Sequence, residues 1–270
     1  MSYALVTGAA KGIGKAIAAE LAERNYKLLL IDLDENSLDK TAEELSAKYQ
    51  VHVHTLHQDV SAPDALQNIF TFTTPYHDQL SVVVNNAGYG INGAFEQLSL
   101  DEQLNIIDVN VKAQVKLSYT YIPILRQFPK AYLLNLASTT AYQTVPYLNI
   151  YAATKAFALS FTRGLRYELR NSGISVSALS PGSTDTDFVN RARMGQHTRR
   201  IADRFNMTAE QVAKIAVNGL FSGKAEILPG AVNKLNAWLP KFFPKVFVEK
   251  IAAGIYEPKE PTGTTFALPS

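Results

Sequence analysis

Short apolar runs alternate with stretches of helical spacing from the amino terminus to about residue 180. Tyr3 to Thr7 reads as a strand and leads into a helix whose buried stripe is Ile13, Ile17 and Leu21. Residues 28–31 form a second strand, apolar at every position, as expected where helices cover both faces of a sheet. The pattern then predicts a helix over 36–49, a strand over 51–56, a short helix over 65–72, a strand over 80–84 and a long helix over 101–125. Leu104, Ile107, Val111 and Val115 share one side of that long helix. A strand over 131–136 follows, then a helix over 152–171 with Phe157, Phe161, Leu165 and Leu169 at i, i+4, i+8 and i+12. A sixth strand covers 174–179. Such repeated βαβ units predict an α/β, Rossmann-type, doubly wound parallel sheet with helices on both faces and right-handed crossovers.

After Pro181 the pattern changes. Residues 183–207 are polar and basic with little periodicity and read as a lid-like segment. Residues 209–221 are helical, and 233–255 are apolar but broken by Pro240 and Pro244. The stretch 208–270 is read as a small C-terminal substrate lobe within one domain covering 1–270.

Composition narrows the function classes. The 270 residues are 47% hydrophobic and 19% charged, within the globular range. A net charge of +2 gives no electrostatic case for nucleic acid. The absence of cysteine removes disulfides, thiolate metal sites and thiol nucleophiles together. With a strand expected from Tyr3 no signal peptide is expected, and no apolar run is long enough to span a bilayer. A cytoplasmic location is expected.

The first candidate for chemistry is Thr7-Gly8-Ala9-Ala10-Lys11-Gly12-Ile13-Gly14, between the first strand and its helix. Glycines at such a turn let the backbone approach a pyrophosphate, which then meets free N–H donors at a helix N-terminus. The spacing is Gly-x-x-x-Gly-x-Gly, and alone it fits an ordinary tight turn as well. Asp32, at the end of the second strand, supports a dinucleotide. Its carboxylate can bond the adenosine ribose hydroxyls and repel a 2′-phosphate, at a cost of about 1 to 4 kcal/mol near 4 Å. Lys11 pulls the other way, since it could pair with that phosphate. NAD is favoured over NADP.

With further segments, these residues resemble the short-chain dehydrogenase/reductase family, in the branch about as long as this chain, over residues 3 to 188. Asp59-Val60 matches the pair that contacts adenine, and Asn85-Asn86-Ala87-Gly88 matches the segment that lines the adenosine side. Asn110 matches the asparagine of the long helix. Ser138, Tyr151 and Lys155 match the catalytic serine and the Tyr-x-x-x-Lys pair. Pro181-Gly182, with Thr184 and Thr186, matches the segment that grips the nicotinamide carboxamide. Ala137-Ser138-Thr139 stands where Ser-Ser is common, and Thr154 replaces the usual serine before the lysine; neither departure removes a catalytic group. The resemblance implies an NAD(P)-dependent enzyme moving a hydride between nicotinamide and a carbonyl or secondary alcohol. It also implies a homodimer or homotetramer built through the helices near 101–125 and 152–171.

The chemistry suits the residue types. Phenol in water has a pKa near 10, so Tyr151 alone is a poor base at neutral pH. A lysine four residues on shares its helical face, and its ammonium is expected to make the phenol more acidic. Ser138 can hold a substrate oxygen beside the phenol. By the resemblance, Lys155 also holds the nicotinamide ribose, and Asn110 anchors a water that relays the proton. A lone Tyr-x-x-x-Lys is otherwise an amphipathic helix edge.

Other features weigh less. His52 and His54, on one face of a strand and near His57, lack the third ligand of a catalytic zinc, so no metal is expected and packing at a sheet edge is the better reading. Arg191, Arg193, Arg199, Arg200 and Arg204 could draw in an anionic or carrier-linked acyl substrate; a solvated surface loop is the plainer reading. The run Trp238 to Phe247 could wall a pocket, meet a partner subunit or rest on a membrane, the first two being favoured over the lipid anchor. Tyr142, Val145 and Tyr147 are expected to line the same pocket. Together these point to a hydrophobic substrate such as a steroid, fatty or aromatic ketone. The alternatives are an acyl-carrier-linked ketoacyl reductase and a catalytically silent dinucleotide-sensing or scaffold protein on the same fold.

Overall fold

The structure, a computed structural model, describes residues 2–203 and 206–258. In chain order the first half is β1 (Tyr3–Thr7), α1 (Gly12–Ala22), β2 (Lys27–Asp32), α2 (Glu35–Tyr49), β3 (Val53–His57), α3 (Ala65–Thr73), β4 (Leu80–Asn85), α4 (Leu100–Ile107), a π-helical turn (Asp108–Ala113) and α5 (Gln114–Leu125). The second half is β5 (Ala131–Leu136), α6 (Asn149–Glu168), β6 (Ile174–Leu179), β7 (Thr184–Asp185), α7 (Phe188–Arg191), α8 (Gln196–Asp203), β8 (Met207–Thr208), α9 (Ala209–Phe221), β9 (Glu226–Ile227), α10 (Ala231–Trp238) and α11 (Lys245–Tyr256).

Seven strands form one parallel sheet in the order β3-β2-β1-β4-β5-β6-β9. The winding reverses between β1 and β4, and that switch point opens a crevice at the carboxyl ends of the strands. Alternate side chains serve opposite faces. Val6, Leu30 and Val84 pack beneath α1 and α9, whereas Leu5, Leu29 and Val83 pack beneath α5 with Leu117 and Tyr121. Burial on both sides favours an apolar run, and residues 28–31 carry no polar position.

The helix expected over 101–125 is not one regular α-helix. A π turn interrupts it at Asp108–Ala113. There the side chain of Asn110 leaves the helix: Oδ1 accepts from the Tyr89 N–H at 3.1 Å, and Nδ2 donates to the Tyr89 carbonyl at 2.9 Å and to Thr154 Oγ1 at 3.0 Å. Those bonds hold the helix where its own ladder is relaxed. The apolar stripe starting at Leu104 also faces outward, and the buried positions are Gln103, Ile106, Val109 and Asn110. On α6 the expected stripe divides: Leu165 and Leu169 pack into the core, whereas its first half turns outward. Phe157 stacks on Phe161 at the surface, while Ala152, Thr154, Lys155, Ala158 and Thr162 meet the sheet. Small side chains let the first half of α6 lie close to β5 and β6, which leaves Phe157 and Phe161 on the other side.

Five further elements lay outside the sequence expectation, β9 and four short ones in the lid-like stretch. β9 is a seventh strand of two residues, pairing Glu226 with Ala178 and Ile227 with Leu179, too short to carry a period. The lid-like stretch 183–207 contains α7, α8 and the two-residue strand pair β7–β8. At the open edge, β3 carries His54, whose ring stacks on Tyr76 with centroids 4.8 Å apart and lies 3.4 Å from the Tyr3 hydroxyl. Burial lowers its pKa, so the histidine serves as an edge-packing ring.

Candidate active site

The glycine turn forms because the chain has no room there for anything larger. Gly8 and Gly12 have φ of +67° and +56°, in the left-handed region. A Cβ on Gly14 would fall 2.0 Å from the Gly8 carbonyl oxygen, and one on Gly8 would fall 2.9 Å from Ala87 Cα. Asn86 ties the turn to β4, its Nδ2 donating to the carbonyls of Thr7 and Gly8 at 2.9 Å each. Asp32 braces it from β2, Oδ2 accepting from the Ala10 N–H at 2.9 Å and Oδ1 from the Asp34 N–H at 3.1 Å. Lys11 is paired with Asp34 at 2.7 Å. The ammonium and the Ser37 donors hold the Asp34 carboxyl at about 2, while the same contact raises Lys11.

Around this turn lies a cavity of about 890 Å³. Gly8, Lys11, Gly12, Ile13, Gly14 and Asp32 line it from one side, and Asp59, Val60, Asn86, Ala87 and Gly88 continue the wall. Ser138, Tyr151 and Lys155 line it beyond the ends of β5, and Pro181, Gly182, Thr184 and Thr186 close it beyond β6. Of the four candidate catalytic residues, Asn110 lies outside the lining. The cradle left by the glycines, with Asp32 at the far end, fits a dinucleotide running along the carboxyl ends of the strands.

Tyr151, Thr154 and Lys155 come from the first turns of α6. Lys155 Nζ lies 5.6 Å from the centre of the Tyr151 ring and donates to the Leu136 carbonyl at 3.0 Å. Gly88 permits this approach: a Cβ there would stand 3.2 Å from Nζ and 2.9 Å from Asn110 Oδ1. Thr154 Oγ1 donates to the Tyr151 carbonyl at 2.7 Å and accepts from Asn110, linking α6 to the π turn. Ser138 Oγ accepts from the Thr140 N–H at 3.1 Å, which leaves its own hydrogen to donate. Burial pushes the Tyr151 phenol above its ordinary value; the Ser138 hydroxyl acts against this and neighbouring Tyr256 adds to it. Burial also lowers Lys155 to about 8. Lys155 was expected to make the phenol acidic. In the structure desolvation is the larger influence on both groups.

The roof of the cavity comes from late in the chain. Phe188 and Met194 reach it from the lid-like stretch, and Phe243, Phe247 and Tyr256 from the final segment. The rings of Phe188 and Tyr151 are 5.2 Å apart. Asn92 fastens these parts together. Its N–H donates to the Ala192 carbonyl at 2.8 Å, and its Nδ2 donates to the carbonyls of Tyr147 and Tyr256 at 3.0 and 2.8 Å. Thr198 adds a bond to the Ile255 carbonyl at 2.8 Å. Nothing in the sequence singled out Tyr256, Phe188 or Asn92, since each is an ordinary residue on an amphipathic or irregular stretch.

Several expectations need correction. Tyr142, Val145 and Tyr147 do not line the cavity. Tyr142 donates to Glu226 and accepts from the Ser180 hydroxyl, Val145 packs with Leu148 and Ala152, and Tyr147 donates to Glu257 at 2.9 Å. The arginines are mostly committed to the fold: Arg193 pairs with Glu102 at 2.6 Å, and Arg199 bonds the Met194 carbonyl and Asn190. Arg191 lies over the Tyr89 ring at 4.8 Å and does line the cavity, Arg200 is exposed, and Arg204 lies outside the described residues. Of the run 238–247, Leu239, Pro240, Phe243 and Phe247 reach the cavity, and Trp238 and Phe242 do not.

Comparison with known proteins agrees with this geometry. The model of the short chain dehydrogenase family matches residues 2–197. An uncharacterized oxidoreductase of Staphylococcus epidermidis is 27% identical over 219 residues, covering 80% of this chain and 94% of its own. A short-chain dehydrogenase from Sphingobium yanoikuyae, solved with NADPH, is 26% identical with a TM-score of 0.77, covering 91% of this chain and 97% of that one. A short chain dehydrogenase/reductase from Burkholderia phymatum, solved with NAD, is 26% identical with a TM-score of 0.80, covering 89% and 92%. With the glycine cradle and the Rossmann-type sheet, these likenesses make the cofactor a nicotinamide dinucleotide. The chain belongs to the short chain dehydrogenase family and is an oxidoreductase.

Proposed function

We propose that this chain interconverts an apolar ketone and its secondary alcohol, with Tyr151 carrying the proton and NAD preferred to NADP. The observation that carries the reading is the convergence of Tyr151, Ser138 and Lys155 under an apolar roof of Phe188, Met194, Phe243 and Phe247. A bound nicotinamide supplies or accepts the hydride. The glycine turn and Asp32 hold the adenosine half, while Lys155, Pro181, Gly182, Thr184 and Thr186 hold the other.

In the reducing direction Ser138 donates a hydrogen bond to the carbonyl oxygen and aligns it with Tyr151. The buried phenol is protonated at neutral pH, so it acts as an acid: its O–H bond breaks and a new O–H bond forms on the substrate oxygen. The ammonium of Lys155 then stabilises the phenolate. Asn110 has its side chain committed to Tyr89 and Thr154, so it acts here as a positioning residue. The preference for NAD rests on Asp32 and Asp34 standing together at the adenosine end, with Lys11 already paired. A copy of the chain is the proposed partner, docked through the outward stripes of α4, α5 and α6, where Leu104 and Phe157 are exposed. A chain without cysteine suits a reducing compartment such as the cytoplasm.

The test is a panel of steroid, fatty and aromatic ketones with each reduced cofactor, followed at the nicotinamide absorbance. Turnover of apolar ketones with NADH is expected. Turnover of sugars alone would overturn the substrate class, and the absence of any reduction would favour a silent sensor.

A further inference from the structure

The final segment exposes more apolar surface than the cavity uses. Trp238 and Phe242 pack on each other with ring centroids 4.2 Å apart, are 57% and 61% exposed, and line no part of the cavity. Leu235, Trp238 and Phe242 follow at i, i+3 and i+7 and share one side, and exposed Val246 extends the patch. Phe243 and Phe247 join it to the cavity mouth, lining the cavity while staying about half exposed. Pro240 and Pro244 divide the segment into α10 and α11, so the apolar side chains spread over two short helices. The charge on this surface has one dominant sign. Residues 231–256 hold four lysines and one glutamate, and Lys234, Lys245 and Lys250 are exposed.

We propose that this face docks on an anionic lipid surface, with Trp238 and Phe242 among the headgroups and the lysines against the lipid phosphates. Aromatic rings flanked by lysines suit the membrane–water boundary, where one side of the group is apolar and the other wet. The docking lies on the bilayer: among the described residues no helix is long and apolar enough to cross a membrane. A symmetric contact between two copies of this face would set the same lysines against each other, whereas anionic lipid complements them. Because Phe243 and Phe247 border both the patch and the cavity, the docked chain would turn its substrate entrance toward the bilayer.

Trp238 is the single tryptophan of the chain, so its fluorescence reports on this spot alone. Vesicles of phosphatidylcholine mixed with phosphatidylglycerol are expected to shift its emission to the blue, and brominated acyl chains to quench it. The full chain should float with these vesicles at low salt, and about 0.5 M salt should release it. Phosphatidylcholine vesicles alone should do neither. The triple variant Lys234→Glu, Lys245→Glu, Lys250→Glu should keep its melting temperature and lose flotation by about tenfold or more. No blue shift with either vesicle, or equal flotation with both, overturns the proposal. So does a Trp238 blue shift that grows with protein concentration in the absence of lipid, which would assign the face to self-association. Docking is independent of the ketone reading: a chain that floats and reduces no ketone leaves it standing.

Discussion

Lys11 Nζ donates to Asp34 Oδ2 at 2.7 Å, so the cation beside the glycine turn is held by a carboxylate of this same chain. A 2′-phosphate arriving at the adenosine end would have to compete with Asp34 for it, and would also face Asp32. Replacing Asp34 by asparagine frees the ammonium and removes one negative charge. The ratio of kcat/KM for NADPH to that for NADH is expected to rise about threefold to tenfold in Asp34→Asn, within the modest worth of an exposed ion pair. An unchanged ratio would show that Lys11 does not meet the cofactor.

Tyr151→Phe keeps the ring against Phe188 and removes the hydroxyl that carries the acidic proton. Ketone reduction is expected to fall by about 10² to 10⁴, while the affinity for reduced cofactor, read by fluorescence titration, stays near that of the parent chain. Retained turnover would mean that another group supplies the proton.

The two directions should respond differently to pH. Burial raises the Tyr151 phenol, so the acid form needed for reduction is present through neutral pH. Alcohol oxidation needs the same group as a base, and the fraction ionised grows with pH until the raised value is reached. Oxidation should therefore climb steadily between about pH 7 and about pH 10, with reduction level over the lower part of that range. An oxidation rate that is flat across it would count against Tyr151 as the base.

Lys155 carries a stability signature of its own. Its ordinary value is 10.5 and its folded value about 8, lowered by burial. Below about 8 both folded and unfolded chains hold the proton, and the cost of burying the charge is present in full. Between about 8 and 10.5 the unfolded chain binds a proton that the folded one has released, so stability rises with pH, by about 3 kcal/mol if the whole interval is crossed. Lys155→Met lacks that rise. The melting temperature of the parent chain relative to the variant should increase between about pH 8 and about pH 10; a constant difference would mean the ammonium is better solvated than its burial implies.

The outward stripes predict assembly. Phe157→Glu puts a charge on an exposed ring of α6 that touches no part of the cavity, and sedimentation should then show a smaller particle with the fold intact. A parent chain that sediments as a monomer would remove the reason for those stripes.

The sheet was readable from sequence because buried strands leave an unbroken apolar run, as in residues 28–31. The candidate site was legible through special spacing, in the glycine turn from Gly8 to Gly14 and along α6 from Tyr151 to Lys155. What escaped had no local signal. At Leu104 on α4 and Phe157 on α6 the apolar period points outward, because small and polar residues make the close contacts with the sheet there, whereas Leu165 and Leu169 reach the core as expected. The roof was hidden for another reason: Phe188 and Tyr256 meet Tyr151 only through the tertiary fold. Tyr142, close to the site in sequence, turns away because Glu226 on the late strand β9 draws its hydroxyl.

Asn92 has a consequence for the cover of the cavity. One side chain and one N–H grip the loop before α6, the end of α7 and the last turn of α11 at once. Lifting any of the three breaks a bond to this one residue, so the parts of the cover over Tyr151 are tied to one another. Whatever loosens α11 therefore loosens the roof of the cavity with it.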